Sequence, residues 1–239
     1  MDIAKKLFTI LFGVVVLFGL VLSSHYLRAR IQAHINSFLG VIKQAETVKV
    51  TFPEGKTNEE MAQILSSRIQ NFDAKRFLGI TAGEQGYLFP DTYYFLKNET
   101  PDAVIKKMQD NFERKTDTLD AKIKFYSSGY EGEKKWWQVV IMASILEKEA
   151  KPADMKIVSG ILWKRLDNGM LLQADAAPET YKNKGLPEMP ISNPGLIAIT
   201  AAIDPMESPY WYYLHDKNGI IHLAKTFVEH KANIKKYLK

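Results

Sequence analysis

The run VVIMASILEKEAKP, Val139 to Pro152, sets two glutamates, Glu147 and Glu149, at the end of one of the greasiest stretches in the chain. From Trp136 to Lys151, apolar residues stand at 136, 137, 139–143, 145 and 146. They fall on every side of a 3.6-residue repeat, which predicts a helix buried all round. Pro152 stops it. A fold built around that helix must cover it with other segments, and its two carboxylates need a reason to be there.

Two positions apart on a helix, the side chains of Glu147 and Glu149 diverge by about 200°. They do not face one substrate as a paired acid and nucleophile, so one acts and the other supports. Glu149 lies in the last turn, where the helix dipole is negative and a carboxylate is disfavoured. Burial acts in the same direction, towards a carboxyl that keeps its proton near neutral pH. A protonated acid of that kind is what protonating a glycosidic oxygen requires. The competing reading makes both glutamates structural, bonded to lysines or to helix-terminal amides.

Working outward, TVKVTFPEG (47–55) alternates as a half-buried strand that Pro53 and Gly55 end. TNEE from Thr57 to Glu60 is a capping box opening a helix with Met61, Ile64, Leu65 and Ile69 on one side. EQGYLFPDTYYF (84–95) is dense in aromatics around a turn at Pro90 and Asp91. As a bland element it is a packed core turn; as a functional one it is a sugar-binding wall, since aromatic faces stack on pyranose rings. Thr100 and Pro101 open a helix striped by Val104, Met108 and Phe112. A further helix follows Pro152, with Ile157, Ile161 and Leu166 as its stripe and Gly169 just past its end. Asn193 and Pro194 suggest a cap and first turn of a short helix. YWYYLHDKNGIIHL (210–223) is a hairpin turning at Asp216–Gly219, and a basic amphipathic helix follows Thr226. The pattern is α+β.

The N-terminus decides location. After Lys5 and Lys6, 16 uncharged residues run from Leu7 to Leu22, and 21 precede Arg28 when the count continues to Leu27. At 1.5 Å per residue that is about 32 Å, enough for a hydrocarbon core of roughly 30 Å. A cleaved signal peptide is the competing reading, because Ser23 and Ser24 follow the run. A short tail before the span, with nearly everything after it, places the globular part outside the membrane. The formal charge of +5 is spread rather than blocked and accompanies no nucleic-acid motif. It favours an anionic membrane surface over nucleic acid as partner. No cysteine is present, so thiolate metal sites and thiol nucleophiles are excluded.

The set VTFPEG, GYLFPDTY, ASILEKEA, LQAD, ISNPGL and HLAKTFVEH, in that order, resembles the MltG (YceG-like) endolytic murein transglycosylases. The similarity covers the chain from about Val48 to its end. The resemblance implies residues 1–27 as cytoplasmic tail and transmembrane helix and 28–46 as a stalk helix. It implies 47–80 as a LysM-like module and 81–239 as a mainly helical catalytic domain with a C-terminal hairpin and helix. It further implies a single-pass protein of the bacterial inner or plasma membrane, with its catalytic domain extracytoplasmic. That protein cleaves the bond between N-acetylmuramic acid and N-acetylglucosamine in nascent glycan strands, leaves 1,6-anhydro ends, and has peptidoglycan synthases as partners. No cofactor is implied.

On this resemblance the second glutamate of the motif, Glu149, is the acid/base, and Glu147 is the fallback or a supporting group. Gln173 and Asp175 of LQAD are expected to bind substrate. Tyr87, Phe89, Asp91 and Tyr93 move from core turn towards cleft wall, with Asn193 and His222 as further contacts. A metal site at His222, Thr226 and His230 is disfavoured, because no carboxylate or third histidine stands at ligand spacing. The chain also departs from the family pattern. After LQAD it has AAPETYKNKGLPEMP (176–190) where the family continues Pro-Thr-Val and then Tyr-Gly. Leu223 replaces an aromatic, and the N-terminal module is a single strand–helix unit. These departures motivate two alternatives: a non-catalytic anchored peptidoglycan-binding scaffold, and a hydrolase that uses water and gives reducing ends.

Overall fold

The computed structural model describes residues 28–37, 47–119 and 135–238. The stretch expected to span the membrane and the second half of the expected stalk lie outside the described residues. Among the described residues, no helix is long and apolar enough to cross a membrane. Helix α1 (28–37) is exposed along its whole length, and its Gln32 donates to Asn36 Oδ1 at 3.0 Å. It belongs to the first of two units, residues 1–47; the second is Val48–Lys239.

The second unit mixes helices and strands, in keeping with an α+β chain. Strand β1 (Thr47–Thr51) pairs with β2 (Thr92–Leu96) in a two-stranded sheet. Between them lie α2 (Asn58–Arg68) and α3 (Ala74–Ile80). The capping box at Thr57 forms as its sequence predicts: Thr57 Oγ1 accepts from the Glu60 amide, and Glu60 Oε2 accepts from the Thr57 amide. Helix α4 (Pro101–Thr116) starts on Thr100 with Pro101 in its first turn. Val50, Leu65, Phe77, Leu88, Phe95 and Met108 pack into one core with their neighbours. That core runs past residue 80 through β2 and α4.

A second core surrounds α5 (Trp136–Glu149), whose residues Val139 to Leu146 are all buried. Helix α6 (Met155–Asp167) and the short α7 (Leu196–Ile203) cover it. Gly160 lets α6 approach the carbonyl of Met206, where any Cβ would collide. Helix α6 ends on Asn168 with Gly169 at φ +63°, as its sequence predicts. Its buried set is not the predicted stripe alone: Val158, Leu162 and Trp163 are buried with Ile161, whereas Ile157 and Leu166 are only partly covered. Strands β3 (Tyr212–His215) and β4 (Ile221–Ala224) form the predicted hairpin, antiparallel with Leu214 opposite His222. Helix α8 (Phe227–Tyr237) then starts on Thr226 and lies against the hairpin, burying none of its residues completely.

Asn193 neither caps a helix nor lines a cleft. Gly195 is the N-cap of α7. Asn193 is fully buried, and its Oδ1 accepts from the amides of Gly86 and Leu88 at 2.9 and 3.0 Å. Its Nδ2 donates to Lys56 O and Asn58 Oδ1 at 3.0 and 2.9 Å. The backbone of Asn193 also forms an antiparallel bridge with Lys56. One amide side chain therefore ties together three segments far apart in sequence, which explains an asparagine there without any ligand.

Candidate active site

The two glutamates at the end of α5 do part company. Glu147 Oε2 accepts from the Gly195 amide at 2.9 Å, filling the cap that α7 lacks from its own sequence. Its aliphatic part lies within van der Waals reach of the position a Gly55 side chain would take. Burial pushes its carboxyl above the usual range, opposed by the Gly195 bond and reinforced by the charge of Glu54. Glu147 thus sits in a backbone niche between the loop at Gly55 and the start of α7.

Glu149 opens instead into a groove of about 820 Å³, shared with Lys148, Arg165, Gln173, Asp175 and Tyr181. Tyr212, Tyr213, His215 and residues of α8 complete its wall. Glu149 Oε1 accepts from the Ala176 amide at 2.7 Å, and Oε2 accepts from the Tyr213 hydroxyl at 3.3 Å. Burial is the largest influence on its proton and raises the carboxyl above its ordinary value. The Ala176 bond works against that, the charge of Asp175 adds to it, and the Tyr213 bond again works against it. Burial likewise pushes the Tyr213 hydroxyl far above the phenol range, so it stays a donor at every working pH.

The opposite rim comes from the segment after LQAD. Thr180 Oγ1 accepts from the Ala174 amide at 3.0 Å and donates to Ala177 O at 2.6 Å, closing a tight 3-10 turn over Pro178–Tyr181. That turn aims the Tyr181 hydroxyl at Asp175 Oδ1, 2.5 Å away, and the Asp175 carboxylate lifts Tyr181 to about 12. Gln173 stands exposed on the rim with its backbone at φ +52°, a left-handed conformation unusual for a non-glycine residue.

Of the residues expected to act or to bind substrate, Glu149, Gln173 and Asp175 meet in this groove; the others do not. The aromatic motif is mainly core: Phe89 and Tyr93 are buried, and the Tyr93 hydroxyl donates to Phe89 O at 2.7 Å. Tyr87 packs beside Phe112, and Asp91 faces Asn111 and Lys115. None of the four lines the Glu149 groove, because the turn at Pro90 directs its rings into the two cores. His222 is held elsewhere too, 3.0 Å from Asp216 Oδ2 and stacked on Tyr237. Its hairpin neighbours differ: His215, and His230 on α8, reach the groove. Among the described residues no cluster of His, Cys, Asp or Glu is arranged to hold a metal ion.

Sequence reasoning missed Arg165, Tyr181, Tyr212 and Tyr213. The available signal was YWYY at the start of a strand: four successive aromatics exceed what one buried face needs, so alternate residues must face something else.

Comparison with known proteins gives a consistent result. The profile of the YceG-like family matches residues 25–179 and 178–236. A Bacillus subtilis protein named endolytic murein transglycosylase is 29% identical over 178 residues, covering 64% of this chain and 48% of that protein. A Streptococcus pneumoniae protein of the same name, from strain R6, is 27% identical over 184 residues, covering 64% of this chain and 32% of its own length. The match therefore spans about half of the first relative and a third of the second. A crystal structure of a YceG-like protein from Listeria monocytogenes superposes with a TM-score of 0.65 at 26% identity, covering 77% of this chain and 75% of that one.

Proposed function

The chain belongs to the YceG-like family, and from that premise we propose that it is a membrane-anchored endolytic peptidoglycan transglycosylase. Its substrate is the glycan strand of nascent peptidoglycan, cut between N-acetylmuramic acid and N-acetylglucosamine. The apolar run from Leu7 to Leu22 supports residues 1–27 as the anchor, followed by a stalk to residue 46. Residues 47–80, whose strand and core are completed by β2 and α4, act as a LysM-like module and 81–239 as the catalytic domain, placed outside the membrane near synthases.

The observation that carries this reading is the setting of Glu149. It is an acid in an open groove, pushed by burial and by Asp175 towards its protonated form, and held by two donors. Glu147 is spent on Gly195, and the groove's other carboxylate, Asp175, accepts from the Tyr181 hydroxyl. One group therefore performs both proton transfers. Glu149 gives its proton to the glycosidic oxygen as the C1–O bond breaks and positive charge develops on the muramoyl ring. The Asp175 carboxylate in the same groove stabilises that charge. The ring's own C6 hydroxyl then attacks C1, and its proton passes to the Glu149 carboxylate. Atoms balance without water: the products are a 1,6-anhydromuramoyl end and a free 4-hydroxyl. The Ala176 amide and Tyr213 hydroxyl stabilise Glu149 in the interval when it is ionised.

Digestion of purified peptidoglycan followed by mass analysis tests the reading. The full-length protein is expected to release anhydro-muropeptides. Glu149→Gln is expected to lose about 10²–10⁴-fold in rate while folding normally, the range for a general acid/base. Reducing ends, one water heavier, would identify a hydrolase. Release unchanged in Glu149→Gln would end the assignment.

A further inference from the structure

Among the described residues, no carboxylate pairs with the buried cation Arg165. It leaves α6 only 4% exposed, and among the described residues it forms no ion pair. Its Nε donates to Trp211 O at 2.8 Å and one Nη to Leu172 O at 2.6 Å. The Tyr212 ring lies 5.1 Å from the guanidinium carbon. The other Nη has no protein acceptor among the described residues, yet the side chain lines the Glu149 groove. Burying a guanidinium costs several kcal/mol unless its charge is met, and two backbone carbonyls meet it only in part. Asp175, the carboxylate on the rim of the groove, is committed to Tyr181.

We propose that the free edge of the Arg165 guanidinium is a subsite for a substrate carboxylate entering the groove beside Glu149. The inference rests on the glycan-cleaving reading above and deepens it by naming what distinguishes the strand. A plain N-acetylglucosamine polymer carries no carboxylate. A muramoyl strand does, either on the lactyl group when denuded or on the stem peptide when substituted. The two sources share one chemistry, an anionic oxygen pair suited to the fork of an arginine. The Tyr212 ring, 5.1 Å from the guanidinium carbon, helps keep the guanidinium plane fixed.

The test uses full-length protein carrying Glu149→Gln, so that strands bind without being cut. Affinity is measured for three soluble oligomers of equal length: peptide-bearing, denuded, and N-acetylglucosamine only. Roughly tenfold tighter binding of a charged oligomer over the neutral one is expected, as for a charge-assisted hydrogen bond. A preference shared by the denuded strand assigns the lactyl carboxylate, and one confined to the peptide-bearing strand assigns the stem peptide. Adding Arg165→Gln should remove the preference while leaving the neutral oligomer's affinity in place. Where that variant does not fold, the Arg165 guanidinium 15N resonance decides, moving with charged strands and not with the neutral one. Equal binding of all three, a preference that survives Arg165→Gln, or an unmoved resonance overturns the proposal. The glycan-cleaving reading falls separately, only if Glu149→Gln still releases product.

Discussion

Glu149 and Tyr213 form a pair whose members pull the shared proton in known directions. Removing the Tyr213 hydroxyl takes away a bond to the ionised form, so Tyr213→Phe should move the alkaline limb of the pH–rate profile upward. Asp175→Asn removes a neighbouring negative charge and should move the same limb downward. Opposite displacements in kcat/KM profiles are the expected result; displacements of one sign would contradict the geometry. Stability follows from the same carboxyl. Its folded value is raised, so the folded state holds its proton longer than the unfolded chain does. The contribution is therefore complete below the ordinary glutamate range and is lost as pH climbs through the raised value. Glu149→Gln removes that loss. The variant should match the parent in thermal melts near pH 4 and melt higher than it at pH 8. Glu147, also raised by burial, has in addition a structural role as an acceptor. Glu147→Ala leaves the Gly195 amide without its cap and should cost about 1–2 kcal/mol in denaturant unfolding.

At the level of elements, the close crossing of α6 is the most sensitive contact. Gly160→Ala drives a methyl into the Met206 carbonyl and should destabilise by about 1–3 kcal/mol, read from denaturant midpoints. The elements that were legible in the sequence are those with local causes. The capping box at Thr57, the Thr100–Pro101 start, the Gly169 stop and the hairpin at Asp216–Gly219 each depend on residues within one turn. What was not legible depends on partners far away. Asn193 precedes a proline and a helix, which imitates a cap, but its partners lie at Lys56, Asn58, Gly86 and Leu88. Arg165 falls on the flank of the α6 stripe, where a basic residue ordinarily meets solvent, yet the hairpin folds over it. The aromatic turn at Pro90 illustrates the converse: its rings suit a sugar, and packing claims them first.

Across the whole second unit, two cores meet through the hydrogen bonds of Asn193. Asn193→Ala strands the Gly86 and Leu88 amides and the Asn58 side-chain oxygen in the interior, at about 1–3 kcal/mol for each unmet group. A loss of roughly 3–5 kcal/mol is expected. Calorimetry should then show the core built on β1, α2 and β2 melting ahead of the one around α5, where the parent gives one transition. The groove itself draws on both sides of the larger core: the end of α5, the rim at 173–181, the hairpin and α8. One position on that rim carries a cost that packing does not repay. Gln173 holds a left-handed backbone, about 1 kcal/mol dearer than it would be for glycine. Where the groove makes no demand on that side chain, drift would favour glycine or asparagine at the codon, so the letter found there in any descendant is a compact gauge of whether the groove still needs a glutamine.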